Sequence, residues 1–398
     1  MTRAWVDVVG VGEEGWDGLS EAARTAVSGA EVVIGSERHH RLVPEASGER
    51  IVWPSPFNMM VKRIAGYRGR RVAVLVTGDP LWYSAGAKLA AALPKGSIVF
   101  HPHLSAFQLA CARMGWSLAD VETLTVHGRP VGQAVPYFSP GARLVILGED
   151  SDTPAEIARR LTDLGFGPSE MTVFDAMGGP REARHEGIAH DWSSSVSDFH
   201  TLCLSCRAAD DAEPLPLTGL PDAAFEHDGQ ITKREIRTLT LAALEPRRGA
   251  ILWDIGAGCG SVGIEWMRAA RDAMTHAVEP DQRRREMALR NADRLGAPRL
   301  NLIAGRAPEA LGDLPQPDAI FLGGGLGEET ARRCHAALPR HGRLVANAVT
   351  LDSEALLGRL RAELGGKLAR VSVARAEPVG HRTGWRPAMP VTQWSLKR

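Results

Sequence analysis

One feature constrains this chain more than any other. Short apolar, β-rich runs alternate with helical patterns, and the alternation breaks once, at Ala208-Ala-Asp-Asp-Ala-Glu-Pro-Leu-Pro-Leu-Thr-Gly-Leu-Pro-Asp222. Strand–helix alternation argues for α/β architecture, in which helices cover the faces of mostly parallel sheets. The break holds three prolines and an acidic cluster without periodicity, which predicts a linker over 209–222. With 398 residues in the chain, each half can bury a core of its own. The expected organisation is one domain over 1–208 and a second over 223–398, with no internal repeat at solenoid spacing.

In the first half the expected strands are Trp5–Val9, Glu31–Ile34, Arg71–Val76, Ile98–Phe100, Arg143–Leu147, Met171–Phe174 and Thr201–Ser205. Helices are expected at Ser20–Ser28, Gly86–Leu93, Ala106–Met114 and Pro154–Leu164, with Ser20, Ser84 and Ser105 as candidate N-caps. In the second half strands Ala250–Asp254, Thr275–Val278, Leu300–Ala304, Ala319–Leu322 and Arg343–Ala346 alternate with helices Val262–Arg271, Asp281–Leu295, Glu328–Leu338 and Ser353–Leu364. Two late strands, Leu368–Ala374 and Val391–Leu396, have no helix between them. Five βα units ending in a β-hairpin predict a doubly wound sheet with an antiparallel edge strand.

Composition narrows the function classes. Forty-seven basic residues balance 47 acidic ones, so the chain as a whole has no excess charge to attract nucleic acid or an anionic membrane. The N-terminus lacks an apolar signal core and no transmembrane run follows, which makes the cytoplasm the expected location. The cysteines Cys111, Cys203, Cys206, Cys259 and Cys334 are too scattered for a disulfide framework. Cys203-x-x-Cys206 falls on an expected strand with no second pair, so a structural role is expected and no metal site.

In the second half, strand Ala250–Asp254 runs into Ile255-Gly256-Ala257-Gly258-Cys259-Gly260-Ser261, and a helix starts at once. Glycines there let a ligand approach the backbone, and a helix N-terminus offers free N–H groups. The next strand ends in Glu279, placed to accept hydrogen bonds from both hydroxyls of a ribose. The spacing G-x-G-x-G, unlike G-x-G-x-x-G, suits a nucleoside without pyrophosphate, which favours S-adenosylmethionine over NAD. Gln230-Ile-Thr-Lys-Arg-Glu-Ile-Arg237, with Leu252-Trp-Asp-Ile-Gly-Ala-Gly-Cys-Gly-Ser-Val-Gly-Ile-Glu265, resembles the decarboxylating methyltransferases of corrin biosynthesis. That resemblance implies a class I methyltransferase fold with cofactor contacts at Thr232, Gly256, Gly258, Gly260, Glu279 and Ala307. Cys259 and Ser261 complete the loop, and Arg306 precedes Ala307. Cys259 stands where the family usually has Thr. Phe321-Leu-Gly323-Gly324-Gly325-Leu326 resembles the family's glycine-rich turn, where the substrate cleft would open. Thr232 has a second reading, as N-cap of a helix Arg234–Leu244.

In the first half, Gly10-Val-Gly12-Glu-Glu-Gly15 spells G-x-G-x-x-G after a strand. Trp16-Asp-Gly-Leu19 then separates it from the helix at Ser20, and the next strand ends without a ribose-binding acid, so a dinucleotide site is not expected. Gly78-Asp79-Pro80 makes a turn at the carboxyl end of a strand, where open sheets bind ligands. With Gly10, Gly12 and His101-Pro-His-Leu-Ser105-Ala106-Phe-Gln-Leu-Ala110, it resembles the tetrapyrrole methylase family. The resemblance implies two α/β subdomains with S-adenosylmethionine folded in the cleft between them. The family often has Ser-Ser where this chain has Ser105-Ala106. His101, His103 and His127 are candidate proton carriers, although a lone loop histidine more often packs or is solvated.

Taken together, the two resemblances imply methylation of two meso carbons of a corrin precursor, with loss of CO2 from one acetate. By family analogy the first domain acts at C5 and the second at C15. The activated sulfonium and the electron-rich macrocycle supply the chemistry, so no metal or pyridoxal motif is required and no catalytic side chain can be named. The tetrapyrrole bears many carboxylates, for which Lys233, Arg237, Arg306 and Arg382 are candidate partners. A homo-oligomer is expected. The rival readings are an RNA methyltransferase and a first domain that only senses the cofactor. Neither a basic excess nor an RNA-binding appendage supports the former, and Gly78-Asp79-Pro80 argues against the latter.

Overall fold

The computed structural model describes residues 4–56 and 58–398. Two compact units divide it, one of residues up to 131 together with 137–212, the other of 132–136 and 213–398.

The first unit opens on a parallel sheet in the order β3-β2-β4-β1-β5. Its strands are β1 Val6–Val11, β2 Val32–Gly35, β3 Glu49–Val52, β4 Val72–Thr77 and β5 Ile98–His101, joined through helices α1 Glu21–Ser28, α2 Glu37–Leu42, α3 Asn58–Arg63 and α4 Ala85–Ala92. Alternate residues feed opposite faces. Val6, Val8, Val72 and Val74 enter one core cluster, while Val9, Val11, Ala73 and Leu75 enter another. Burial on both faces is why these strands read as continuous apolar runs. Ser20 caps α1 by accepting the N–H of Ala23 at 3.2 Å. Ser84 sits at the cap position of α4 but makes no side-chain cap bond.

Helix α5 Ala106–Met114 starts on a full capping box. Ser105 Oγ accepts the Gln108 N–H, and the Gln108 side chain returns to the Ser105 N–H at 2.8 Å. A second, mixed sheet follows in the order β6-β7-β10-β8-β9. It comprises β6 Glu122–Thr125, β7 Arg143–Leu147, β8 Glu170–Asp175, β9 Ala183–Ile188 and β10 His200–Ser205, with α6 Thr153–Asp163 packed alongside. Cys203 on β10 and nearby Cys206 are buried, and burial pushes both thiols up to about 12.

The second unit is a doubly wound sheet in the order β13-β12-β11-β14-β15-β19-β16. In chain order it runs α7 Arg234–Leu244, β11 Ile251–Ile255, α8 Ser261–Ala269, β12 Met274–Glu279, α9 Gln282–Arg294, β13 Asn301–Ala304, β14 Ala319–Leu322, α10 Glu328–Ala337, β15 Arg343–Ala348 and α11 Leu351–Leu364. Then come β16 Lys367–Val371, β17 Ala374–Val379, β18 Arg382–Pro387 and β19 Val391–Lys397. The antiparallel strand is not the edge strand that the alternation suggests. β19 inserts between β15 and β16 and pairs antiparallel with both, because Trp394 on it is fully buried in the core. The expected strand Leu368–Ala374 also splits. β17 leaves the sheet and pairs with β18 as a separate hairpin.

The stretch read as a linker is built into the second unit over its latter half. Leu220 is fully buried with Phe225 and Ile264. The Glu265 carboxylate accepts the N–H groups of Gly219 and Leu220 at 2.5 and 3.1 Å. Arg268 donates to the carbonyls of Leu217 and Pro216 at 3.0 and 2.9 Å. Proline-rich backbone cannot join a ladder, so its exposed carbonyls are met here by buried side chains instead.

Candidate active sites

In the second unit the chain leaves the neighbours β11 and β14 in opposite directions, so a crevice opens at their carboxyl ends. The loops there touch. Gly323 and Gly324 donate to the Ile255 carbonyl at 3.1 and 3.2 Å, and a Cβ on Gly256 would lie 2.4 Å from the Gly324 Cα. Gly258 differs. Its φ is +57°, and a Cβ there would meet only the Gln230 carbonyl, at 3.8 Å. A left-handed glycine facing open space is where a ligand can reach backbone.

Two buried side chains, Glu279 and Asn291, hold this loop. Glu279, only 3% exposed, accepts the Gly258 N–H on Oε2 at 2.8 Å and the Asp281 N–H on Oε1 at 3.1 Å. Asn291 on α9 donates to the Cys259 carbonyl at 3.0 Å and to the Glu226 carbonyl at 2.9 Å. The Cys259 side chain packs with Ile264, Ala288 and Leu300, which a thiol fills as a small hydrophobe. Asp254 at the end of β11 accepts the Gly263 N–H at 3.0 Å. Gly260 and Ser261 start α8, and exposed Arg306 and half-buried Ala307 follow β13, whose end pairs with Glu279. Glycine loop, Glu279, Arg306, Ala307 and Gly323–Gly325 thus stand at the carboxyl ends of four adjacent parallel strands. An acid able to take a diol and an open face at Gly258, just ahead of the N-terminus of α8, fit S-adenosylmethionine.

Arg237 requires correction as a substrate ligand. It is fully buried beneath this region, paired with Glu265 at 2.6 Å and Asp222 at 3.1 Å, and donates to the Thr232 carbonyl at 2.5 Å and to the Leu220 carbonyl. Its guanidinium also lies 4.8 Å from the Phe225 ring centre. A cation so enclosed reaches no substrate; it ties segment 220–232 to α8. Thr232 is not the cap of α7 either, since Lys233 occupies that position without a side-chain bond. Lys233 is half-buried, its Nζ 3.8 Å from Asp222. Arg382 sits exposed at the tip of the β17–β18 hairpin, while Arg375 nearer its base pairs with Glu235 on α7 at 2.5 Å.

In the first unit the glycine-rich turns meet at the carboxyl ends of the adjacent parallel strands β1 and β4, whose outgoing connections cross to opposite sides of the sheet. Gly78 donates to the Val11 carbonyl at 3.1 Å, and a Cβ on Gly10 would lie 2.1 Å from the Gly78 carbonyl oxygen and 2.8 Å from His103 Cβ. The carboxylate of Asp79 accepts the Leu81 N–H at 2.7 Å, which shapes the Gly-Asp-Pro turn. Pro80 packs on Gly86, where a Cβ would come 2.3 Å from its carbonyl. Thr77, just before the turn, is held by Arg38 at 3.1 Å and His39 at 3.0 Å. Burial lowers His39 to about 4, so it is neutral near pH 7. Gly12 lies under Glu14 and His103, and Ser105 and Ala106 open α5 at the same edge.

The three histidines differ. His101 pairs with Asp7 at 2.8 Å, His103 lies within 3.2 and 3.3 Å of the Gly18 and Leu104 carbonyls, and His127 is exposed beside Glu149 at 3.3 Å. Among the described residues no group of His, Cys, Asp and Glu could hold a metal ion.

Comparison with known proteins agrees with this division. Residues 6–189 match the model of the tetrapyrrole (corrin/porphyrin) methylases, and residues 223–398 match that of the precorrin methyltransferase domain. The two matches thus define a double methyltransferase of the tetrapyrrole-modifying class. A precorrin-6Y C(5,15)-methyltransferase [decarboxylating] from Sinorhizobium is 46% identical over 99% of this chain and 97% of its own length. The chain belongs to that family. Two shorter relatives each align with 45% of the chain. One is a probable cobalt-precorrin-6B C(15)-methyltransferase (decarboxylating) from Pyrobaculum calidifontis, 36% identical over 95% of its length. The other is a cobalt-precorrin-7 C(5)-methyltransferase from Salmonella typhimurium, 29% identical over 88% of its length.

Proposed function

We propose that the chain methylates precorrin-6Y at C5 and C15 and removes CO2 from its C12 acetate, giving precorrin-8X. The first unit would act at C5, and the second at C15 with decarboxylation. One observation carries this reading: two independent glycine-walled loop sites, each at the carboxyl ends of adjacent parallel strands of its own sheet, in a chain whose shorter relatives are named for one methylation each.

When bound, S-adenosylmethionine supplies a methyl group already activated on sulfur. The residues of the chain then bind and orient. In the second unit the open face at Gly258 admits the nucleoside against backbone, and Glu279 accepts from its ribose hydroxyls while bracing the loop. The Gly323–Gly325 turn lines the substrate side, and Lys233 is the cation placed to meet a substrate carboxylate, with Arg306 at the crevice rim. In the first unit Gly78-Asp79-Pro80 shapes the pocket wall. Catalysis by positioning asks no more of side chains.

Incubating the pure protein with precorrin-6Y and methyl-labelled cofactor tests the proposal. A product carrying two labelled methyls and lacking one CO2 is expected. Label transfer to RNA with no change in the tetrapyrrole would refute it.

A further inference from the structure

Asp254 is the penultimate residue of β11, beside the glycine loop, and is 1% exposed. Its Oδ2 accepts the Gly263 N–H at 3.0 Å, whereas its Oδ1 is buried without a hydrogen-bond partner. The approach is built in: a Cβ on Gly263 would lie 3.1 Å from that Oδ2 and 2.6 Å from Thr275 Cγ2 on β12. The ionisable groups facing Asp254 are Glu279 from the end of β12 and the buried Cys259 thiol from the loop. Neither is a cation. A sealed carboxylate with an orphan oxygen and a second carboxylate for a neighbour is costly to ionise. Burial first, and Glu279 after it, push Asp254 up to about 7.

We propose that Asp254 carries a proton while the second unit lacks its cationic ligand, and gives that proton up when the sulfonium settles over the glycine loop. Cofactor binding there is then proton-linked, with Asp254 as the counter-charge beside the loop. The chemistry balances: the O–H bond of Asp254 breaks, the proton goes to solvent, and the carboxylate faces the incoming cation. S-adenosylhomocysteine offers the same shape and ammonium but a neutral thioether, so it has no such effect. This inference rests on the reading that the second unit binds S-adenosylmethionine.

The test is calorimetry of the full chain near pH 6, in buffers of different ionisation enthalpy, with each ligand in turn. Gly258→Val, expected to keep only the first-unit site, supplies the reference for subtraction. S-adenosylmethionine should release close to one proton at the second site and S-adenosylhomocysteine far less, and Asp254→Asn should abolish the difference while still binding. In the unsubstituted protein, affinity for S-adenosylmethionine should rise up to tenfold per pH unit below neutrality, with a flat profile for S-adenosylhomocysteine. Equal release by the two ligands, or release unchanged in Asp254→Asn, would overturn the role of Asp254. If Gly258→Val instead leaves the number of cofactor sites unchanged, the underlying reading of the second unit fails.

Discussion

The two glycine-walled crevices look alike in sequence and are built differently. In the first unit the space beside Gly10 and Gly12 is taken by the chain itself, by the Gly78 carbonyl, His103 and Glu14. In the second, Gly256 and Gly324 serve the same packing purpose, but Gly258 faces open space and its N–H is held by Glu279. The supports differ too. The second loop is held by Glu279 and Asn291, and the segment before α7 by the ion pairs of Arg237 with Glu265 and Asp222, whereas the first rests on backbone contacts and a capped helix. A G-x-G string therefore marks where loops approach one another, and only the space beside each glycine tells packing from ligand contact.

The contrast is broken most severely at Glu265. Glu265→Ala leaves the Arg237 cation buried without its partner and frees the N–H groups of Gly219 and Leu220. The second unit should lose roughly 3–5 kcal/mol, read by denaturant melting, with the first unit unaffected. A fragment starting at 213 should fold, and one starting at 223 should melt earlier, because the latter lacks the segment that Glu265 and Arg268 hold.

The glycines themselves sharpen it. Gly10→Ala forces a Cβ against a backbone oxygen that cannot swing away, so the first unit should lose about 1–3 kcal/mol or more. Gly258→Ala meets only the Gln230 carbonyl at ordinary contact distance and should cost only about 1 kcal/mol, from its left-handed backbone, yet weaken cofactor binding. Equal losses of stability at both positions would erase the distinction. Glu279→Ala should weaken cofactor binding to the second unit by about 1–3 kcal/mol, part of it through the released loop.

Much of this was legible beforehand. Every expected strand of the first half exists, and so does the capped start of α5, because apolar runs and a Ser-x-x-Gln pattern are local signals. The missed strands β3, β6 and β9 and the β17–β18 hairpin lie at or outside sheet edges, where residues such as Glu49, Arg50, Glu122, Arg184 and Glu186 break any apolar rhythm. Arg237 was misread because its partners Glu265 and Asp222 lie 28 and 15 positions away, and no spacing rule links them. A hint existed: Glu265 interrupts an otherwise apolar stretch of α8. The stretch 213–222 looked flexible from its prolines, while its leucines at 215 and 220 were the sign of burial.

A pH-dependent effect follows from Asp254. Its carboxyl is raised from 3.8 to about 7 in the folded unit, so the fold binds that proton more tightly than the unfolded chain does. Stability from this group is complete below about pH 4 and drains away as pH rises through 7. Asp254→Asn cannot ionise, so its melting temperature relative to the unsubstituted protein should rise from about pH 5 to about pH 8. A gap that stays constant over that range would place no proton on Asp254.

The separation of two activities is the central claim, and product mass from site-specific variants tests it most directly. With precorrin-6Y as substrate, Asp79→Ala or Gly78→Val should yield a product with one added methyl and one CO2 lost. Gly258→Val should yield one added methyl and no loss of CO2. If Gly258→Val folds and still releases CO2 at the normal rate, or if the first-unit variants abolish CO2 release, the assignment of one activity to each crevice is wrong.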